Sequence, residues 1–229
     1  MDLKKESARV AFSLISPEST VGLGDGSSMR LLAAFIAEGI AQGLSVHLYT
    51  SSISTEAFLK NAGIAVFDSS ETDRLDLYFD GCDQVDHELN ALKSGAGIHT
   101  QEKLLASMAK KFIILADESK FVPVFSSQFP LVLEVLPQAN HFVQRELKTL
   151  WPDVSLSVRL LPESQGPVFS RNGNWLIDCF FPQWPESAQI QYQSKKITGV
   201  VEISLFHQLA RVALIASETG VRQYESAGL

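Results

Sequence analysis

Between Asp80 and Lys103 the chain gathers carboxylates, an amine and a glycine-rich turn: Asp80-Gly81-Cys82-Asp83, Lys93-Ser94-Gly95-Ala96-Gly97 and Thr100-Gln101-Glu102-Lys103. Few structural needs call for that set together. Proton transfer on a small polar substrate does. It needs a base, a cation for developing oxyanion charge, and backbone close to the ligand. Asp80, Asp83, Lys93 and Glu102 are therefore the catalytic candidates. Gly81, Cys82, Ser94, Gly95 and Ala96 are candidates for substrate contact. Asp80 closes an apolar run, Leu75-Asp76-Leu77-Tyr78-Phe79, that reads as a strand. In open α/β sheets, ligands bind just past the carboxyl ends of strands.

A second loop, Gly22-Leu23-Gly24-Asp25-Gly26-Ser27-Ser28, falls between a predicted strand and a predicted helix. Backbone amides, a helix N-terminus and two hydroxyls can hold an anion there. The next strand ends in Thr50-Ser51-Ser52, with no acid to take a ribose 2′-hydroxyl. A phosphate is therefore expected rather than a dinucleotide. Lys4, Lys93 and Lys120 are the candidate cations for it. Asp25 sits badly in this loop, because two unit charges about 4 Å apart repel by roughly 4 kcal/mol at an effective dielectric near 20. It must be neutralised, for instance by Lys4 or Arg30, or turn away. Cys82 lies between two acids, which raise a thiol pKa, so it reads as an inert small residue. His99 reads as a surface or packing residue. His47, His87, His141 and His207 are scattered, and no metal site or cofactor is expected.

The 229 residues are 45% hydrophobic and 20% charged, ordinary for a globular chain. Net charge is −7, which argues against nucleic acid or an anionic membrane as a partner. Two cysteines give no disulfide framework, and Cys82 and Cys179 are expected to stay free. The charged N-terminus lacks the apolar core of a secretory signal, and no apolar run approaches about 18 residues. A soluble cytoplasmic protein is expected, assembled as a homodimer or homotetramer.

Apolar spacing predicts helices over 2–15, 28–42, 55–61 and 100–110, alternating with strands over 20–23, 45–49, 64–67, 75–80 and 111–116. Thr100 is expected to cap the last of these helices, with Glu102 in its first turn, where the helix dipole favours a carboxylate. This alternation predicts an α/β fold with a Rossmann-like, doubly wound, mostly parallel sheet. Beyond Val124 strands dominate: 131–136, 155–161, 168–170, 174–180 and 200–205, with helices over 138–150 and 185–195. That reads as a smaller inserted α+β domain over 126–205. An apolar run, 209–217, then returns to the first domain, which comprises 1–125 and 206–229.

Taken in order, these motifs resemble type A ribose-5-phosphate isomerase, a pentose-phosphate family. Lys4-Lys5, the loop from Val21 to Ser28, Asp80-Gly81-Cys82-Asp83, Lys93 to Gly97, Thr100 to Lys103 and Ala116-Asp117-Glu118-Ser119-Lys120 carry the resemblance. Gly173-Asn174-Trp175-Leu176-Ile177-Asp178 and Gly199-Val200-Val201-Glu202 extend it over nearly the whole chain. It implies a cofactor-free aldose–ketose isomerase acting on a sugar phosphate. Glu102 would be the base between C1 and C2, Asp80 would assist ring opening, and Asp83 and Lys93 would orient and neutralise the enediolate. The chemistry agrees, since a cis-enediol intermediate needs a carboxylate base and a nearby cation but no metal. The chain departs at Asp25, where the family has Thr, at Gln84, where it has Glu, and at Ser94 and Ala96, where it has Gly. An isomerase for another sugar phosphate is one alternative. A non-catalytic sugar-phosphate sensor is another, against which stand Lys93, Glu102 and the lack of a helix-turn-helix extension.

Overall fold

The computed structural model describes residues 2–163 and 165–226. Helix α1 (Leu3–Phe12) is capped by Asp2, whose carboxylate accepts from the Lys5 amide at 3.2 Å. Then come β1 (Thr20–Leu23), α2 (Ser27–Ala41), β2 (His47–Thr50), α3 (Ile53–Asn61), β3 (Val66–Phe67) and β4 (Leu75–Gly81). Short β5 (Gln84–Val85) and β6 (Ala91–Leu92) precede α4 (His99–Met108) and β7 (Ala109–Asp117). The next stretch holds β8 (Leu131–Val135), α5 (Asn140–Leu150), β9 (Ser155–Val158), β10 (Trp175–Phe180), α6 (Ser187–Lys196) and β11 (Val200–Ile203). The chain closes with β12 (Leu205–Phe206), β13 (Val212–Ser217) and β14 (Gly220–Glu225).

A seven-stranded sheet runs in the order β14-β13-β7-β4-β1-β2-β3. Every neighbouring pair is parallel except β13–β14. Its strands alternate their side chains between two cores, as the pleat requires. Tyr78, Phe112 and Ile114 pack with Leu105 and Ala106 of α4 on one face. Phe79, Ile113 and Leu115 pack with Ala8, Met29, Leu32 and Ile36 of α1 and α2 on the other. Each large side chain buried in this way contributes about 1.5–3 kcal/mol. The strand order reverses between β1 and β4, so their carboxyl ends, Leu23 and Gly81, flank a topological switch point, where such sheets bind ligands.

A second sheet, β11-β8-β10-β9, is antiparallel throughout and packs Leu131, Leu133 and Val135 against Val143 and Leu147 of α5 and Ile190 of α6. The small sheet β12-β6-β5 delivers Lys93, whose amide donates to the Ser204 carbonyl at 3.0 Å. Among the described residues no helix is long and apolar enough to cross a membrane.

Several expectations change. Helix α4 starts at His99 with Ile98 at the cap, so Thr100 is not its N-cap; its hydroxyl donates to Glu134 instead. The segment 168–170 forms no strand, only the isolated bridge between Phe169 and Trp175. The apolar run 209–217 contains β13, which pairs with β7, and the hairpin to β14 carried no advance signal.

Candidate active site

The loop after β1 crosses directly over Asp80. A Cβ at Gly24 would collide with the Asp80 carboxylate, so only glycine allows that approach. Gly26 has φ +101°, a left-handed value that glycine adopts without strain. It is also the N-cap of α2, and it offers no side chain to the first-turn amides. Those amides are left for a ligand, and Gly26, Ser27 and Ser28 line a cavity of about 190 Å³ at this helix end.

The strand end of β4 and the turn before α4 supply the rest of that cavity. Gly81, Cys82, Asp83, Lys93, Gly95, Ala96 and Glu102 line it, as do Lys4, Asp25 and Lys120. Of the residues singled out from sequence, only Asp80 and Ser94 are outside the lining. Asp80 is fully buried, and Ser94 gives its amide to Asp83 and its hydroxyl to the Pro130 carbonyl. Leu115 lines the cavity too, and nothing in its local sequence marks it.

Lys93 stands at the centre. Its Nζ lies 2.9 Å from Asp80 Oδ2 and 3.3 Å from Glu102 Oε1, and it donates to the Gly81 carbonyl at 2.7 Å. Asp80 also accepts from the Tyr78 hydroxyl and the Gly81 amide, each at 2.8 Å. One cation between two buried carboxylates leaves one negative charge uncompensated. Burial, then the charge of Asp80, push the Glu102 carboxyl up to about 8 against the pull of Lys93. Burial works against the Lys93 ammonium, but Asp80 and Glu102 outweigh it and hold its pKa above the ordinary range. Burial raises Asp80 as well, opposed mainly by Lys93.

Lys120 donates to the Cys82 carbonyl at 2.6 Å, and burial pushes the Cys82 thiol up to about 12 despite the nearby lysines. Cys82 is thus a small buried filler with no thiolate chemistry near neutral pH. His99 is fully buried, and burial brings its pKa down to about 4, so it is a neutral packing residue. Among the described residues no group of three or more His, Cys, Asp or Glu side chains is arranged to hold a metal. Arg159, which sequence reasoning missed, holds the turn after Lys93. It donates to the Ser94 and Gly95 carbonyls at 2.8 Å each and pairs with Asp178 at 2.7 Å.

The family described as Ribose 5-phosphate isomerase A (phosphoriboisomerase A) matches residues 47–220. A ribose-5-phosphate isomerase A of Pyrococcus furiosus is 31% identical over 226 residues, covering 98% of each chain. That of Thermomicrobium roseum is 34% identical over 97% of this chain and 93% of its own. The chain belongs to the ribose 5-phosphate isomerase A family. Its fold superposes on the isomerase A of Methanocaldococcus jannaschii with a TM-score of 0.90 at 31% identity, over 98% of both chains. A D-ribose-5-phosphate isomerase solved in complex with phospho-erythronic acid matches with a TM-score of 0.91 at 28% identity, again over 98% of both.

Asp25, the departure from the family loop, finds neither of the cations suggested for it at salt-bridge distance among the described residues. Its Oδ1 accepts instead from the hydroxyls of Ser52 and of Ser54, the latter at 2.8 Å. Burial raises its pKa, but these hydroxyls, the Gly26 amide and Arg30 outweigh burial and keep it ionised. A charged carboxylate therefore shares the cavity with the helix end that would take a phosphate. Asp25→Thr is expected to lower KM for a phosphorylated substrate several-fold, with Asp25→Asn recovering part of that gain. Unchanged KM in both variants, read from steady-state kinetics, contradicts a repulsive role.

Proposed function

We propose that this chain interconverts D-ribose 5-phosphate and D-ribulose 5-phosphate through an enediolate, with Glu102 as the base. The observation that carries the reading is that Lys93 and Glu102, with Asp80 buried behind Lys93, open onto the same cavity as the uncapped N-terminus of α2. The phosphate sits at Gly26, Ser27 and Ser28, with Lys4 and Lys120 balancing its charge. Glu102 takes the proton from C2 of the open-chain aldose and returns it to C1. Lys93 neutralises the oxygen that becomes anionic, and Asp83 orients the same end of the sugar.

Asp80 is fully buried and off the cavity lining, which supports a role through Lys93 rather than direct assistance to ring opening. It keeps the ammonium charged and aimed. Residues 1–125 and 206–229 are read as the catalytic domain, and 126–205 as a lid or interface domain. The second sheet is drawn from 131–203, while β13 rejoins β7, and both facts support that division. The apolar side chains of Leu160, Leu161 and Phe169, 46%, 45% and 59% exposed, favour a homodimer or homotetramer. Two free buried cysteines suit a reducing, cytoplasmic compartment.

Purified protein incubated with ribose 5-phosphate in EDTA is expected to form ribulose 5-phosphate with saturable kinetics. No ketose overturns the assignment; ketose only after a divalent cation is added overturns the metal-free mechanism.

A further inference from the structure

Glu134 lies in β8 on the face opposite Leu133 and Val135, and it is fully buried. A buried carboxylate is costly unless its lone pairs are filled. Oε1 accepts from Ser170 Oγ at 2.7 Å, Asn172 Nδ2 at 2.9 Å and Asn174 Nδ2 at 2.7 Å, all in the turn before β10. Oε2 accepts from the Thr100 hydroxyl, which belongs to the first turn of α4. The 170–174 turn alone could have satisfied one oxygen. The second is committed to the helix that carries Glu102, two residues further on.

Helix α4 has no side-chain N-cap, so the placement of its start depends on outside contacts. There are three. Thr100 is held by Glu134. Gln101 Nε2 donates to Asn172 Oδ1 at 2.9 Å. Lys103, on the far side of Glu102, is buried and donates to the Ile203 and Leu205 carbonyls at 2.6 and 2.8 Å and to Glu202 at 2.9 Å. Glu102 thus sits between two anchored residues, with its carboxylate 3.3 Å from Lys93.

We propose that Glu134 is a positioning residue for the isomerisation: through the Thr100 hydroxyl it fixes the first turn of α4 and so aims Glu102 at Lys93 and the substrate. The proposal rests on Glu102 being the base. A misplacement of about 1 Å in a reacting group can cost about a hundredfold in rate. Losing one of several anchors is expected to cost a fraction of that.

The test is steady-state kinetics with ribose 5-phosphate on Thr100→Val, Thr100→Ser, Glu134→Gln and, as reference, Glu102→Gln, each with a thermal melt. Thr100→Val and Glu134→Gln are expected to lower kcat about tenfold with KM within about twofold, because aim is lost and binding is not. Thr100→Ser, which keeps the hydroxyl, is expected to stay within about threefold of wild type in kcat. Thr100→Val within about twofold of wild type in kcat, whatever its melting temperature, overturns the proposal. Equal impairment of Thr100→Val and Thr100→Ser overturns it as well, since the hydroxyl would then not matter. Should Glu134→Gln fail to fold, the Thr100 pair decides alone. A Glu102→Gln variant that keeps its kcat shows instead that the base assignment is wrong, and the proposal falls with it.

Discussion

Glu102→Gln is expected to lower kcat by two or more orders of magnitude while KM stays within a few-fold. General bases contribute about 10²–10⁴-fold, and the base acts on the transition state more than on the bound sugar. Gln is nearly isosteric and keeps a partner for Lys93, so the loss reports the missing base rather than a collapsed site. A variant within about threefold of wild type in kcat removes Glu102 from the role. The raised pKa adds a pH signature. A base works ionised, so kcat/KM of the wild type is expected to climb as the pH rises toward and through about 8. The same shift has a stability cost. The folded-state value of about 8 lies above the ordinary 4.5, so the unfolded chain releases this proton first. Stability is lost as the pH rises from 4.5 toward 8, and Gln removes that loss. The inactive variant should therefore melt no lower than wild type near pH 8.

Lys93→Ala is the second large effect. Lys93 is 9% exposed, and its ammonium sits 2.9 Å from Asp80 and 3.3 Å from Glu102. Removing it takes away the cation that faces the enediolate and leaves two buried carboxylates without a counter-ion. Breaking a buried pair in this way costs about 3–5 kcal/mol unless a proton is taken up. The expected result is a kcat lower by two or more orders of magnitude, with a melting temperature that falls further at high pH than at low pH. At low pH protonation of Asp80 or Glu102 relieves the repulsion; at high pH it cannot. If kcat holds and only KM rises, oxyanion stabilisation is the wrong assignment for Lys93.

The reach of the sequence follows from how local each feature is. Asp80 and the Gly24–Ser28 loop could be read because strand ends and glycine turns leave short-range marks, and the topology then brings β1 and β4 side by side. Lys93 and Glu102 could be read because carboxylates, an amine and a glycine-rich turn crowd into one short stretch of chain. Arg159 and Glu134 could not: their partners lie tens of residues away, and nothing beside either one in the chain announces them. Asp25 is held by two hydroxyls at the start of α3, with Arg30 adding to them, and nothing beside it in the chain marks those hydroxyls. Thr100 looked like a cap because threonine before a helix usually is one; its hydroxyl is taken by tertiary contact instead. Strand β13 is buried along nearly its whole length, so it shows no period-two alternation by which to tell a strand from a helix. The two-residue strands of the small sheet are too short to show any period.

The central claim is that Glu102 moves a proton between adjacent carbons by way of an enediolate. The most direct test runs the conversion with ribose 5-phosphate deuterated at C2, in ordinary water, and follows the label by NMR. Proton transfer through a carboxylate that opens onto the cavity predicts a primary isotope effect and loss of part of the label to water. Complete retention of deuterium at C1 of the ribulose 5-phosphate, together with an unchanged kcat in Glu102→Gln, would point to a direct hydride shift and would contradict the account.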